Sequence, residues 1–107
     1  MKYLLSQNEF EVLIGRQPSS TPLPDLTIIW FTATWCGPCK RINIDYLQDF
    51  PANWLKCDID QNDYTAGFCG IRSVPSFLAV YKTKVIGTKS SSSTVEIWDW
   101  LQNLPLN

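Results

Sequence analysis

The sequence predicts one α/β domain over residues 1–107, built on a mixed sheet, and three observations predict it. Apolar runs of strand length alternate with stretches of helical spacing, the pattern of a partly parallel sheet with helical crossovers. Two later runs, 76–81 and 84–88, are separated by two residues and read as an antiparallel pair, which makes the sheet mixed. Between a strand and a helix, Cys36 and Cys39 stand three positions apart on one helical face, close enough to bond if the first sits at the helix start.

Residues 3–5 form a short edge strand. Ser6 to Glu9 is a capping box, and Phe10, Leu13 and Ile14 give the stripe of a helix ending at Gly15. Three prolines within 17–25 mark a surface loop. The smooth apolar run from Leu26 to about residue 32 is a buried strand, and a helix opened by Cys36 follows, with apolar positions at 44, 47 and 50 and a stop at Pro51. Residues 53–59 supply a third strand interrupted by Lys56, and the cluster Asp60, Gln61, Asn62, Asp63 opens a short helix to about Phe68. After the hairpin, the serines 90–93 read as a solvated loop. Ser93 and Glu96 frame a second capping box, so a last helix runs to about Leu104 with Ile97, Trp98, Leu101 and Leu104 buried. Trp98 and Trp100 belong to core and flank.

A thiolate at a helix N-terminus faces unpaired N–H groups, so the Cys36 pKa falls below the free value of about 8.5 and Cys36 is the nucleophile. Pro38 suits the first turn, and the N–H and S–H of Cys39 point at Cys36, which makes Cys39 the resolving thiol. A structural cysteine pair or half of a metal site remain the alternatives.

A chain of 107 residues supports a core without disulfides or metals. Net charge is −1 with scattered Lys and Arg, so neither a nucleic-acid footprint nor a membrane-attracting patch is present, and protein partners are expected. The apolar run near Met1 is too short for an export signal and no stretch is long enough to span a membrane, so a reducing, cytoplasmic location is expected, where such a pair is more often catalytic or metal-binding than structural. The chain has no histidine, which removes imidazole-based catalysis and mixed Cys/His zinc sites.

Residues 31–40, with Trp35-Cys36-Gly37-Pro38-Cys39 at their centre, resemble the active-site segment of the thioredoxin family, and Gly70 to Pro75 resembles its second signature. Thioredoxins are themselves a standing example of a C-x-x-C pair with a lowered pKa. The resemblance covers the chain from end to end and implies a three-layer αβα thioredoxin fold, a central mixed sheet of four to five strands flanked by about four helices. It implies a cis Pro75 facing the disulfide, a Val74 backbone that pairs with extended substrate beside Cys36, and Trp35 as one wall of the docking surface. It places Lys56 beneath the active site.

The chain departs from the family's pattern at four places. Trp30 replaces the family's buried aspartate, a feature more like the tryparedoxin and nucleoredoxin branches, so no carboxylate assists proton transfer at Cys39 from there. Ile44 replaces the kinking proline and the following segment is short, which predicts a straight, short helix. Residues near Thr83 replace an Asn-Gly type of turn, so that hairpin should differ, and the glycine before the last helix falls in the serine run. Lys56 is then either poorly solvated with a lowered pKa or held on the Trp30 face as a cation–π pair, with consequences for Cys39 in both cases.

Cys57 and Cys69 read as small buried or half-buried hydrophobes. Cys69 falls where some animal thioredoxins carry an extra cysteine, a possible secondary redox position, and a four-thiolate metal site is the rival. The function expected is dithiol–disulfide exchange on protein disulfides by a monomer with no cofactor of its own. Resemblance implies a flavin-containing, NADPH-dependent thioredoxin reductase as electron donor. The alternative is a redox-idle interaction module or subunit of a larger complex.

Overall fold

The structure is a computed structural model that describes residues 1–106. Its elements are β1 (Lys2–Tyr3), α1 (Gln7–Leu13), β2 (Leu26–Thr32), a 3-10 turn (Pro38–Arg41), α2 (Ile44–Leu47), β3 (Asn53–Asp58), α3 (Asp63–Phe68), β4 (Ser76–Tyr81), β5 (Lys84–Ser90) and α4 (Thr94–Gln102). The five strands form one sheet in the order β1-β3-β2-β4-β5. β1 and β2 run parallel to β3, while β4 runs antiparallel to both β2 and β5. The mixed α/β architecture is the one the alternation of elements predicts.

β2 is buried along its whole length because both faces of the sheet are covered, and its unbroken apolar run follows from that. Leu26, Ile28 and Trp30 point to one side, where they meet Phe77, Ala79, Leu47 and the α4 residues Ile97 and Leu101. Ile29 and Phe31 point to the other, against Leu4, Phe10, Leu78 and Ala66. Two cores therefore share one sheet, with the strand period of two dividing the residues between them.

Several boundaries and one element differ from expectation. β1 occupies residues 2–3 and not 3–5, and β3 stops at Asp58. The helix expected to run straight from Cys36 to about residue 50 is instead two separate turns. Pro38–Arg41 is 3-10, with the N–H of Lys40 donating to Gly37 and that of Ile42 to Cys39. Ile42 then turns extended (φ −76°, ψ 128°), and Asn43 caps a new turn by accepting the Tyr46 N–H at 3.1 Å. The segment is short as expected, but it is broken at Ile42 because Asn43 offers the backbone a second start.

The serine run is not a free loop. Ser90 belongs to β5, its hydroxyl 2.6 Å from that of Ser76; Ser91 accepts the Ser93 N–H, and Ser93 caps α4 by accepting from Glu96. The hairpin turn keeps an Asn-Gly geometry without those residues. Lys82 (φ 48°) and Thr83 (φ 70°) both occupy the left-handed region that a two-residue turn of this hand demands. The side chains there differ from an Asn-Gly turn and the backbone path does not.

Candidate functional site

The C-terminal end of β2 delivers the site. After Thr32 the chain bends, the Cys36 N–H donates to the Ala33 carbonyl at 3.2 Å, and the 3-10 turn begins. Cys36 and Cys39 are joined by a disulfide, their Cα atoms 5.3 Å apart. Gly37 is the N-cap, one position beyond the Cys36 expected there. A single 3-10 turn carries little macrodipole, so the local stabilisation of a Cys36 thiolate comes chiefly from one directed donor: the Cys39 N–H, whose nitrogen lies 3.1 Å from Cys36 Sγ.

The second segment meets the disulfide from the side. Pro75 is cis to Val74, as the resemblance implies, and the Val74 carbonyl oxygen stands 3.6 Å from Cys36 Sγ. A disulfide sulfur has no proton to give, so this is a contact in the oxidised pair and the natural acceptor for a thiol in the reduced one. Both cysteines are nearly covered, but only Cys36 lines the adjoining groove, a space of about 450 Å3 bounded by Trp35, Pro38, Ile59, Arg72 and Val74. Gly37 lines it too, and a Cβ added there would meet nothing within 4 Å in the chain. The room its hydrogen leaves therefore belongs to the groove.

Trp35 is 64% exposed yet fixed, its indole N–H donating to Asp60 Oδ2 at 2.8 Å, while Asp58 Oδ1 accepts the Asp60 N–H at 2.9 Å. Asp60 is a residue that sequence reasoning assigned only to a helix start. Its partner lies 25 positions away, and no spacing rule reveals that pairing. Arg72, within the second signature, also borders the groove without having been singled out.

A row of directly opposed residues crosses one face of four strands: Tyr3, Lys56, Trp30 and Phe77. The Lys56 ammonium stands 5.2 Å from the Trp30 ring centroid and 5.4 Å from that of Tyr3, and Trp30 stacks on Phe77 at 6.5 Å. Of the two arrangements expected for Lys56, the geometry is the cation–π one. The Trp30 indole N–H is buried and has no hydrogen-bond partner among the described residues.

Cys57 is fully buried and Cys69 half-buried, both in the core beneath α1 and α3, where small hydrophobes were expected. Burial pushes the Cys57 thiol up to about 12, with smaller contributions from Cys69 and Asp58, and burial alone pushes Cys69 up to about 11. Neither is a ready thiolate at neutral pH. Among the described residues, no three Cys, Asp or Glu side chains lie close enough together to hold a metal ion.

Comparison with known proteins points the same way. The Thioredoxin family model matches residues 4–103. A thioredoxin of Geodia cydonium is 45% identical over 56 residues, 49% of this chain and 53% of that protein. One of Staphylococcus saprophyticus is 37% identical over 84 residues, 67% of this chain and 78% of that one. The matched stretch thus spans about half the length of the Geodia relative and of the yeast mitochondrial thioredoxin-3. The crystal structure of that yeast mitochondrial thioredoxin 3 in its oxidised form superposes with a TM-score of 0.80 at 27% identity, covering 97% of this chain and 95% of the other.

Proposed function

The chain belongs to the thioredoxin family, and we propose that it works as a protein-disulfide reductase with Cys36 as nucleophile and Cys39 as resolving thiol. The observation that carries this reading is the setting of Cys36 Sγ: it borders an open groove on one side and receives the Cys39 N–H at 3.1 Å on the other. In the reduced protein the Cys36 thiolate attacks one sulfur of a substrate disulfide. A Cys36–substrate bond forms and the second substrate sulfur leaves as a thiolate, which takes up a proton. The Cys39 thiolate then attacks Cys36 Sγ, expels the remaining substrate sulfur and closes the Cys36–Cys39 disulfide. The substrate gains the two electrons the protein loses.

Substrate docking falls to Trp35, Gly37, Pro38, Val74 and Pro75. The Val74 backbone sits where an extended strand of substrate would pair beside Cys36, and Asp60 keeps the Trp35 wall from swinging into the groove. Lys56 and Trp30 tune proton transfer at Cys39 in place of the family's carboxylate. The substrates are protein disulfides, and an NADPH-dependent flavin reductase returns the oxidised pair to the dithiol. The reading further takes the protein as a monomer in the cytoplasm, although a relative is named as mitochondrial.

Reduction of insulin with dithiothreitol as electron source tests the assignment. Turnover by the wild type that disappears in Cys36→Ser supports the reductase. An inactive wild type would mean that the fold serves as an interaction module with an idle pair.

A further inference from the structure

On the α1/α3 side of the sheet a second cavity, of about 420 Å3, opens away from the Cys36 groove. Its origin is a mismatch of lengths. α1 has seven residues and α3 six, about 10 Å each, whereas β4 and β5 run for about 20 Å. Two such short helices leave part of the hairpin face uncovered, and Phe68 and Val85 stay about half exposed at the rim. Buried Phe10 and Leu78 form the floor, so the hollow is apolar at its base.

Arg16 is an exposed residue lining this cavity. It follows the end of α1, its guanidinium 5.5 Å from the Phe68 ring centroid, and among the described residues it rests on that ring face and makes no salt bridge. A guanidinium fork beside an apolar hollow of this size, within the roughly 300–1,000 Å3 of small-molecule sites, is complementary to a chain or ring that ends in a carboxylate. We propose that this cavity binds a small amphipathic carboxylate, its apolar body on Phe10 and Leu78 and its carboxylate on Arg16. The site is independent of the disulfide chemistry, because none of its residues borders the Cys36 groove.

Octanoate is a suitable probe, followed by amide chemical shifts of the oxidised protein below the micelle limit. The expected result is saturable shifts at Phe68, Leu78, Val85 and Thr88. Arg16→Gln should weaken binding at least about tenfold, since a charge-assisted pair is lost, and 1-octanol should bind more weakly than octanoate by a similar factor. Arg72→Gln, on the other groove, should leave binding unchanged. The proposal is overturned by shifts centred on Trp35 and Val74, by equal binding of octanol, by an Arg16→Gln variant that binds as well as wild type, or by no shifts at all. Shifts at the same residues that depend only on protein concentration also overturn it, since they mark self-association.

Discussion

Lys56 holds the one positive charge on the row of opposed residues Tyr3, Lys56, Trp30 and Phe77, and no carboxylate stands where Trp30 does. Its Nζ lies above two rings, so truncation to Met should cost about 1 kcal/mol in urea unfolding through the lost cation–π contacts. In the tuning role proposed for Lys56, that charge favours a thiolate at Cys39. The pH at which the resolving step reaches half its maximal rate in stopped-flow exchange should therefore move upward in Lys56→Met and also change in Trp30→Asp. An unchanged profile in both would remove Lys56 and Trp30 from the chemistry. Cys57 makes a separate prediction. Its thiol is raised from 9.0 to about 12, so the folded state resists its ionisation while the unfolded chain does not. That contribution to stability is complete below about pH 9 and declines as pH rises towards 12. Cys57→Ala should lose less stability than wild type between about pH 8 and about pH 10, whatever constant cavity cost it carries. Equal losses would show that Cys57 ionises no less readily in the folded protein.

At the scale of elements, the hairpin and the broken helix are the informative places. Thr83 is β-branched and sits at φ 70°, where any side chain but glycine's crowds the backbone. Thr83→Gly should stabilise the protein by about 1 kcal/mol in denaturant unfolding, and a loss of stability would mean that the packing of the Thr83 side chain outweighs the strain. Asn43 both caps α2 and donates its N–H to Thr94 Oγ1 at 2.9 Å, tying that turn to the start of α4. Asn43→Ala should cost about 1 kcal/mol. The elements legible in the sequence were those whose period, caps and breakers agreed: β2, β4, α1 with Ser6 and α4 with Ser93. The segment after Cys39 was misread because its apolar positions at 44, 47 and 50 do follow helical spacing, yet a local competitor, the Asn43 cap, divides it. The reach of Ser90 into β5 was hidden because its partner, Ser76, is fixed only by strand register.

For the whole molecule, the sheet carries two cores, and the functional pair adjoins the one beneath α1 and α3 through Ile59 and Val74. Cys36 and Cys39 form a small cluster with Ala33, flanked by Ile59 and Val74, the first two residues of which lie just beyond the end of β2. The motif was legible because its spacing is local. The Asp60 anchor of Trp35 and the place of Tyr3 beside Lys56 were not, because tertiary pairing alone creates them, whereas the Lys56–Trp30 pair was reached through the family resemblance. The pair also couples the chemistry to the stability of the whole fold. Closing so short a loop removes only modest freedom from the unfolded chain, so the oxidised protein should resist urea more than the dithiol form by about 2 kcal/mol. Linkage then requires that the disulfide be harder to reduce in the folded protein than in the unfolded chain by the same free energy, about 40 mV for a two-electron couple. Urea unfolding of the oxidised and dithiothreitol-reduced forms checks the first quantity, and equilibration with glutathione in native and denaturing buffer checks the second. The two must agree in sign and size. A reduced form as stable as the oxidised one would mean that folded contacts around the free thiols, the Cys39 N–H and the Val74 carbonyl among them, offset the entropy of the open loop.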